Sequence, residues 1–172
     1  MLSGEIEVLL GWDALSARTG EIEGLHHAIG TPVDARLPWL GVWAEVHPDR
    51  TITTFATRDA TGTVDALAPV AARSIGILRS VVSVGQGFTD HSSVVGRDDA
   101  AAARLGRAMR TWLADLHRPW QLWLERLTPG PGLDAFAAAL GSVQELESGP
   151  ESPQVHPGGD RDPRRYESAG RP

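Results

Sequence analysis

The chain has 172 residues, with 16 basic and 22 acidic side chains and a formal net charge of −6. Every basic residue is arginine and cysteine is absent, which excludes thiolate nucleophiles, zinc–thiolate sites, disulfides, Schiff-base lysines and a P-loop lysine. The length suits one domain, the acidic balance argues against a nucleic-acid binder, and no apolar run approaches the ~20 residues of a membrane span.

Ile6, Val8 and Leu10 alternate with Glu5 and Glu7, the period of a half-buried strand. Gly11-Trp12-Asp13 opens a short helical stretch through Arg18. From Thr31-Pro32 the pattern is helical again: Leu40, Trp43 and Val46 recur at three-residue steps, with Trp39 and Trp43 one turn apart. Pro48-Asp49 ends that helix.

Thr51 to Thr57 is rich in β-branched residues, and Asp59-Ala60-Thr61-Gly62 signals a turn before a second strand, Thr63 to Ala72. Ile75 to Val84 reads as a third strand, and the short connections predict an antiparallel meander. Ser92 to Val95 reads as a short fourth strand. Asp98 and Asp99 then stand where a helix N-terminus wants a cap and negative charge. In the helix that follows, Leu105, Met109, Trp112 and Leu116 form one stripe, with Arg104, Arg107 and Arg110 roughly opposite. A strand from Trp120 to Leu127, a helix near Leu133 to Leu140 and a strand near Ser142 to Leu146 complete a mixed α/β domain with a central sheet. Residues 148–172 contain five prolines and four glycines with almost no apolar side chains, so disorder is expected there. Glu5 and Glu7 occupy the stretch that a signal peptide makes positive, so a cytoplasmic location is expected.

Thr89-Asp90-His91-Ser92-Ser93 is the densest polar cluster. Asp90 or His91, at a strand-to-loop junction, has the chemistry of a general base near neutral pH. The bland alternative is a turn in which Asp90 serves backbone N–H groups. A Ser-His-Asp relay is disfavoured, because neighbouring residues of an extended chain point to opposite faces. Gly85-Gln86-Gly87 follows a strand as a phosphate loop would, but Asp90 stands where the third glycine belongs, so a plain strand exit is expected. His26 and His27 are adjacent, and His47, His117 and His156 are scattered, so no metal site is expected. The six tryptophans mostly occupy periodic positions and are expected in the core.

The order of features resembles a known family. Trp12-Asp13-Ala14-Leu15, Thr31-Pro32, the pair Trp39/Trp43, the meander carrying Ala68-Pro69-Val70 and the run Gly87-Phe88-Thr89-Asp90 resemble the opening of the CelD-like acetyltransferases of cellulose and polysaccharide biosynthesis. These belong to the GNAT superfamily and carry two GNAT-type lobes in tandem; the resemblance covers roughly residues 10–147. It implies a GNAT-like mixed, largely antiparallel sheet flanked by helices. It implies acyl transfer from acetyl-CoA, without a metal, to a small-molecule amine or hydroxyl acceptor, with Asp90 and His91 lining the cleft. The family's R/Q-x-x-G-x-G/A diphosphate loop has its nearest counterpart in Ala103-Arg104-Leu105-Gly106-Arg107-Ala108, which lacks the leading Arg or Gln and lies inside a helical pattern. Residues 1–147 are therefore expected to form an N-terminal lobe, 148–172 a disordered tail or truncated linker, and a second GNAT-like lobe is an expected partner. The alternative is a catalytically silent α/β interaction module, or an inactive fragment that packs against a missing second lobe.

Overall fold

The computed structural model describes residues 6–91, 94–127 and 131–141. In chain order these form β1 (Ile6–Leu10), α1 (Trp12–Ser16), α2 (Thr19–Ile29), a 3-10 turn (Val33–Ala35), α3 (Leu37–Val46), β2 (Thr51–Arg58), β3 (Val64–Ile75), β4 (Leu78–Ser83), β5 (Val95–Gly96), α4 (Asp99–Ala114), β6 (Trp120–Trp123) and α5 (Pro131–Leu140). The result is an α+β fold, a mixed and mostly antiparallel six-stranded sheet with five helices. The strand order is β1-β2-β3-β4-β6, and β5 pairs with β3 beyond the point where β4 leaves it. β1 through β4 pair antiparallel; β4 and β6 are parallel, joined by the α4 crossover.

The sheet carries a separate core on each face. On one face Leu15, Ile22, Leu25, Leu40 and Trp43 of α1–α3 pack on Leu9, Ile52, Leu67 and Val82. On the other, Leu105, Met109 and Leu113 of α4 and Phe136 of α5 pack on Phe55, Ala68, Val70 and Val81. Burial on both sides explains the near-continuous apolar and β-branched runs of β2 and β3, where alternation is lost. The Trp112 ring meets Phe55 edge-on at 5.4 Å, which locates α4 over β2.

Local signals account for most element ends. Asp98 caps α4 by accepting from the Ala101 N–H at 2.8 Å. The Asp59 carboxylate accepts from the Thr61 and Thr63 N–H groups at 2.8 and 3.0 Å and so builds the β2–β3 turn.

Several expectations change. The helix α2 was not foreseen, although Ile22, Leu25 and Ile29 recur at helical spacing and Gly30 ends the helix in the left-handed region. β3 runs to Ile75, three residues beyond the expected end of the second strand, and the hairpin turn falls at Gly76-Ile77. β6 spans Trp120–Trp123 rather than running to Leu127, and the short strand beside β3 is Val95–Gly96. β1 is inverted: Leu9 is buried, Glu7 shares its face, and Ile6, Val8 and Leu10 are exposed. The reason is tertiary, since α1–α3 all pack on the Leu9 face while α4 lies over β2 and β3 and stops short of the β1 edge. Of the tryptophans only Trp43 is fully buried, and Trp39, Trp120 and Trp123 are exposed. Arg104 is not on a solvated face: it pairs with the buried Asp65. The expected strand near Ser142 to Leu146 and the tail 148–172 lie outside the described residues.

Candidate functional site

β2, β4 and β6 run in one direction, so their carboxyl ends share one end of the sheet. Strand ends flanking a parallel crossover are where α/β sheets most often place their ligands. Here β4 exits through Gly85-Gln86-Gly87 into the polar run at 89–91. Gly85 has φ +94, and a Cβ there would meet the Thr89 side chain at 2.9 Å, so the turn requires glycine. The Phe88 and Thr89 N–H groups close onto the Gly85 carbonyl at 2.9 and 3.0 Å. The segment is the strand exit read from the sequence, with the Gln86, Phe88 and Thr89 N–H groups already used.

The turn delivers Asp90 and His91 to the start of a different layer. Asp34, in the 3-10 turn before α3, accepts the Asp90 and His91 backbone N–H groups on Oδ2 at 2.7 and 3.1 Å. His91 Nδ1 lies 3.0 Å from Asp34 Oδ1. The buried Thr89 hydroxyl donates to the His91 carbonyl at 2.9 Å, fixing the backbone behind the ring. Partial burial pushes the Asp34 carboxyl up, but the Asp90 N–H and the His91 ring outweigh it and hold the carboxyl below the ordinary carboxylate range. Asp34 is therefore ionised at neutral pH, and it orients His91 in the tautomer that carries its proton on Nδ1. In that tautomer Nε2 holds the lone pair, the arrangement of a general base.

Asp90 plays a different part. Its carboxylate is exposed and pairs with Arg126, just past β6, while its backbone N–H is a donor to Asp34. The anticipated turn with Asp90 serving backbone N–H groups is thus built the other way round, with Asp34 as the acceptor. Arg126 adopts φ +56, uncommon for a residue with a side chain. Beside it, Glu125 Oε1 accepts from Gln86 Nε2 at 3.2 Å and from the Trp123 indole N–H at 2.7 Å. The Trp43 indole N–H reaches the Gln86 carbonyl at 3.3 Å. Two side-chain pairs, Asp90–Arg126 and Gln86–Glu125, so tie the exits of β4 and β6 together. Trp39, Phe88 and Trp123 are exposed around this end, with the Trp39 and Phe88 rings 6.4 Å apart.

The fold thus brings His91 beside Asp34 and Asp90 beside Arg126, partners that the local sequence pattern does not indicate. Asp34 carries no signal beyond its place in the helical pattern that begins at Thr31-Pro32; its pairing spans 57 residues and no local pattern encodes it. Ser92 and Ser93 lie outside the described residues.

The start of α4 does not suit the diphosphate of a coenzyme. Asp98 already occupies the Ala101 N–H, and Asp98 and Asp99 put two carboxylates where an anion would sit. Gly106, within the nearest counterpart of a diphosphate motif, is buried in the α4–α5 contact, where a Cβ would lie 2.5 Å from the Phe136 carbonyl oxygen. Among the described residues no three His, Asp or Glu side chains converge as metal ligands, and no helix is long and apolar enough to cross a membrane. Two shallow grooves, of about 320 and 470 Å³, lie by Arg58 near the β1–β2 side of the sheet; neither is lined by His91 or Asp34. In the larger, Arg58 is engaged by Glu7 and Glu21 at 2.9 and 2.7 Å, so its charge is already answered. Comparison with protein-family models, curated proteins and solved structures finds no match to this chain.

Proposed function

We propose that this chain is a lobe of a cytoplasmic acyltransferase of the CelD-like, GNAT type, which moves an acetyl group from acetyl-CoA to an amine or hydroxyl of a small-molecule acceptor. The observation that carries the reading is the Asp34–His91 dyad at the carboxyl end of β4. An acceptor amine or hydroxyl must lose its proton as it attacks the thioester carbonyl, whose C–S bond then breaks to release the coenzyme A thiolate, protonated in turn to the thiol. His91 Nε2, with Nδ1–H held by ionised Asp34, is the group that takes the proton, and Asp34 stabilises the imidazolium that results. The Asp90–Arg126 and Gln86–Glu125 pairs hold the exits of β4 and β6 in fixed relation, which limits the orientational freedom of a bound acceptor. Because the carboxylates at the start of α4 disfavour the coenzyme's diphosphate there, this lobe contributes the acceptor side, and a second GNAT-like lobe is the partner that would hold acetyl-CoA.

The experiment is acetyl transfer from labelled acetyl-CoA to a panel of amines and sugar hydroxyls, with wild type and His91→Gln each in a chain extended by a second GNAT-like lobe. Transfer that falls about 100-fold in His91→Gln, the scale of a general base, supports the reading. Transfer unaffected by His91→Gln removes His91 from it.

A second reading is a catalytically silent module that packs against a partner. It is favoured by the outer face of α3, where Trp39, Val42 and Val46 are exposed beside Phe88. No transfer and no acetyl-CoA binding by a chain extended by a second GNAT-like lobe would favour that reading over the first.

A further inference from the structure

The dyad depends on where Asp34 points, and Asp34 lies in a three-residue 3-10 turn, an element too short to hold itself. What holds it is visible immediately behind. Arg36 follows the turn directly. Its backbone N–H donates to the Val33 carbonyl at 3.2 Å, and its carbonyl accepts from Trp39 and Leu40 at the start of α3. Its side chain folds back: Nε donates to the Thr31 carbonyl at 2.9 Å, closing residues 31–36 into a loop, and Nη1 lies 3.9 Å from Glu23 Oε2 on α2. Thr31 is itself pinned, since its N–H donates to the His26 carbonyl at the end of α2 at 2.9 Å.

We propose that Arg36 is the positioning residue of the dyad: its guanidinium clamps the loop carrying Asp34 against α2, and so aims the Asp34 carboxylate at His91. The planar fork suits the task, because Nε and Nη1 face the Thr31 carbonyl and the Glu23 carboxylate at once, which a lysine ammonium on a flexible stem does not reproduce. The Thr31 contact is partly buried, so water is a poor substitute for the lost donor. The inference concerns how the dyad is built. It rests on the dyad's geometry and not on acyl transfer being its chemistry.

The test reads the His91 ring directly. In histidine-15N-labelled protein above the imidazole titration, long-range proton–nitrogen spectra distinguish the Nδ1–H from the Nε2–H tautomer. Wild-type protein is expected to show mainly Nδ1–H at His91, whereas an unrestrained imidazole favours Nε2–H. In Arg36→Met the Nδ1–H to Nε2–H ratio is expected to fall about fivefold, the equilibrium equivalent of one hydrogen bond. Arg36→Lys, which keeps the charge but not the Nε donor, is expected to fall almost as far, and Glu23→Gln by less. Arg18→Lys, in the ion-pair network of β1 and α2, is the control and should leave His91 unchanged. If Arg36→Met does not fold, Arg36→Lys decides. A wild-type ratio in folded Arg36→Lys overturns the proposal, as does wild-type His91 in the Nε2–H form. Because no acyl donor is involved, failure of the transfer assay and failure of the clamp are separate results.

Discussion

At the scale of single residues, two histidines of similar sequence appearance have opposite surroundings. His91 is half-exposed and has a carboxylate 3.0 Å from Nδ1. His26 is fully buried in α2, faced by Glu23 on its own helix and by Arg36 from the following turn. Burial pushes the His26 imidazole below its ordinary 6.5; Glu23 opposes that shift and Arg36 adds to it. The folded protein therefore keeps His26 neutral where the unfolded chain takes up a proton. Stability is complete above the unfolded value and falls as the pH drops from 6.5 toward the lower folded value. Urea unfolding at pH 7.5 and 5.5 should show wild type losing stability at up to about 1.4 kcal/mol per pH unit per proton. His26→Leu should lose markedly less over the same interval. Equal losses in the two proteins would place the acid sensitivity elsewhere.

At the scale of elements, the contacts of α4 explain Arg104, which the helical pattern placed on a solvated face. A β-bulge between Thr57 and Arg58 of β2 sets Asp65 out of register, and its buried carboxylate accepts the Thr57 hydroxyl at 2.6 Å and pairs with Arg104. Arg104 thus crosses from α4 to the sheet instead of facing water with Arg107 and Arg110. Arg104→Met leaves a buried carboxylate without its cation and is expected to cost about 3–5 kcal/mol. Chemical denaturation measures this; a loss under ~1 kcal/mol would mean that the pair contributes little beyond what it costs to bury. Gly106 records a close approach of α4 and α5. Gly106→Ala drives a methyl into the Phe136 carbonyl and should destabilise by about 1–3 kcal/mol despite alanine's better helix propensity. Stabilisation by Gly106→Ala would show that α5 moves away at little cost.

At the scale of the whole molecule, two helical layers cover the sheet unequally. The α1–α3 layer extends over β1, so Leu9 and Glu7 are engaged, whereas Ile6, Val8 and Leu10 on the opposite face remain exposed. The outer side of α3 also bears apolar residues that the core does not use. Val42→Lys with Val46→Glu should shift unfolding stability by no more than about 0.5 kcal/mol per site, since both side chains are already solvated. A loss above ~2 kcal/mol, or a change of oligomeric state in gel filtration, would show that this face is covered in solution.

Most of the secondary structure was legible because it is written locally. The Asp98 cap, the Asp59 turn, the Leu105/Met109 stripe and the β-branched runs of β2 and β3 each act within a few residues, and period and turn chemistry report them. The mixed sheet followed from the same information, since short connections leave antiparallel pairing as the only geometry for β2–β3–β4. Half of the candidate site was legible too: His91 and Asp90 stood out as polar residues at a strand exit. The other half was decided only by tertiary structure. Asp34 reaches His91 across 57 residues, Arg126 reaches Asp90 across 36, and Arg104 reaches Asp65 across 39. Such pairs leave no periodic trace, because they depend on how layers stack. The inversion of β1 has the same origin. Alternation says that a strand has two unlike faces, but only the placement of the helices decides which face is covered.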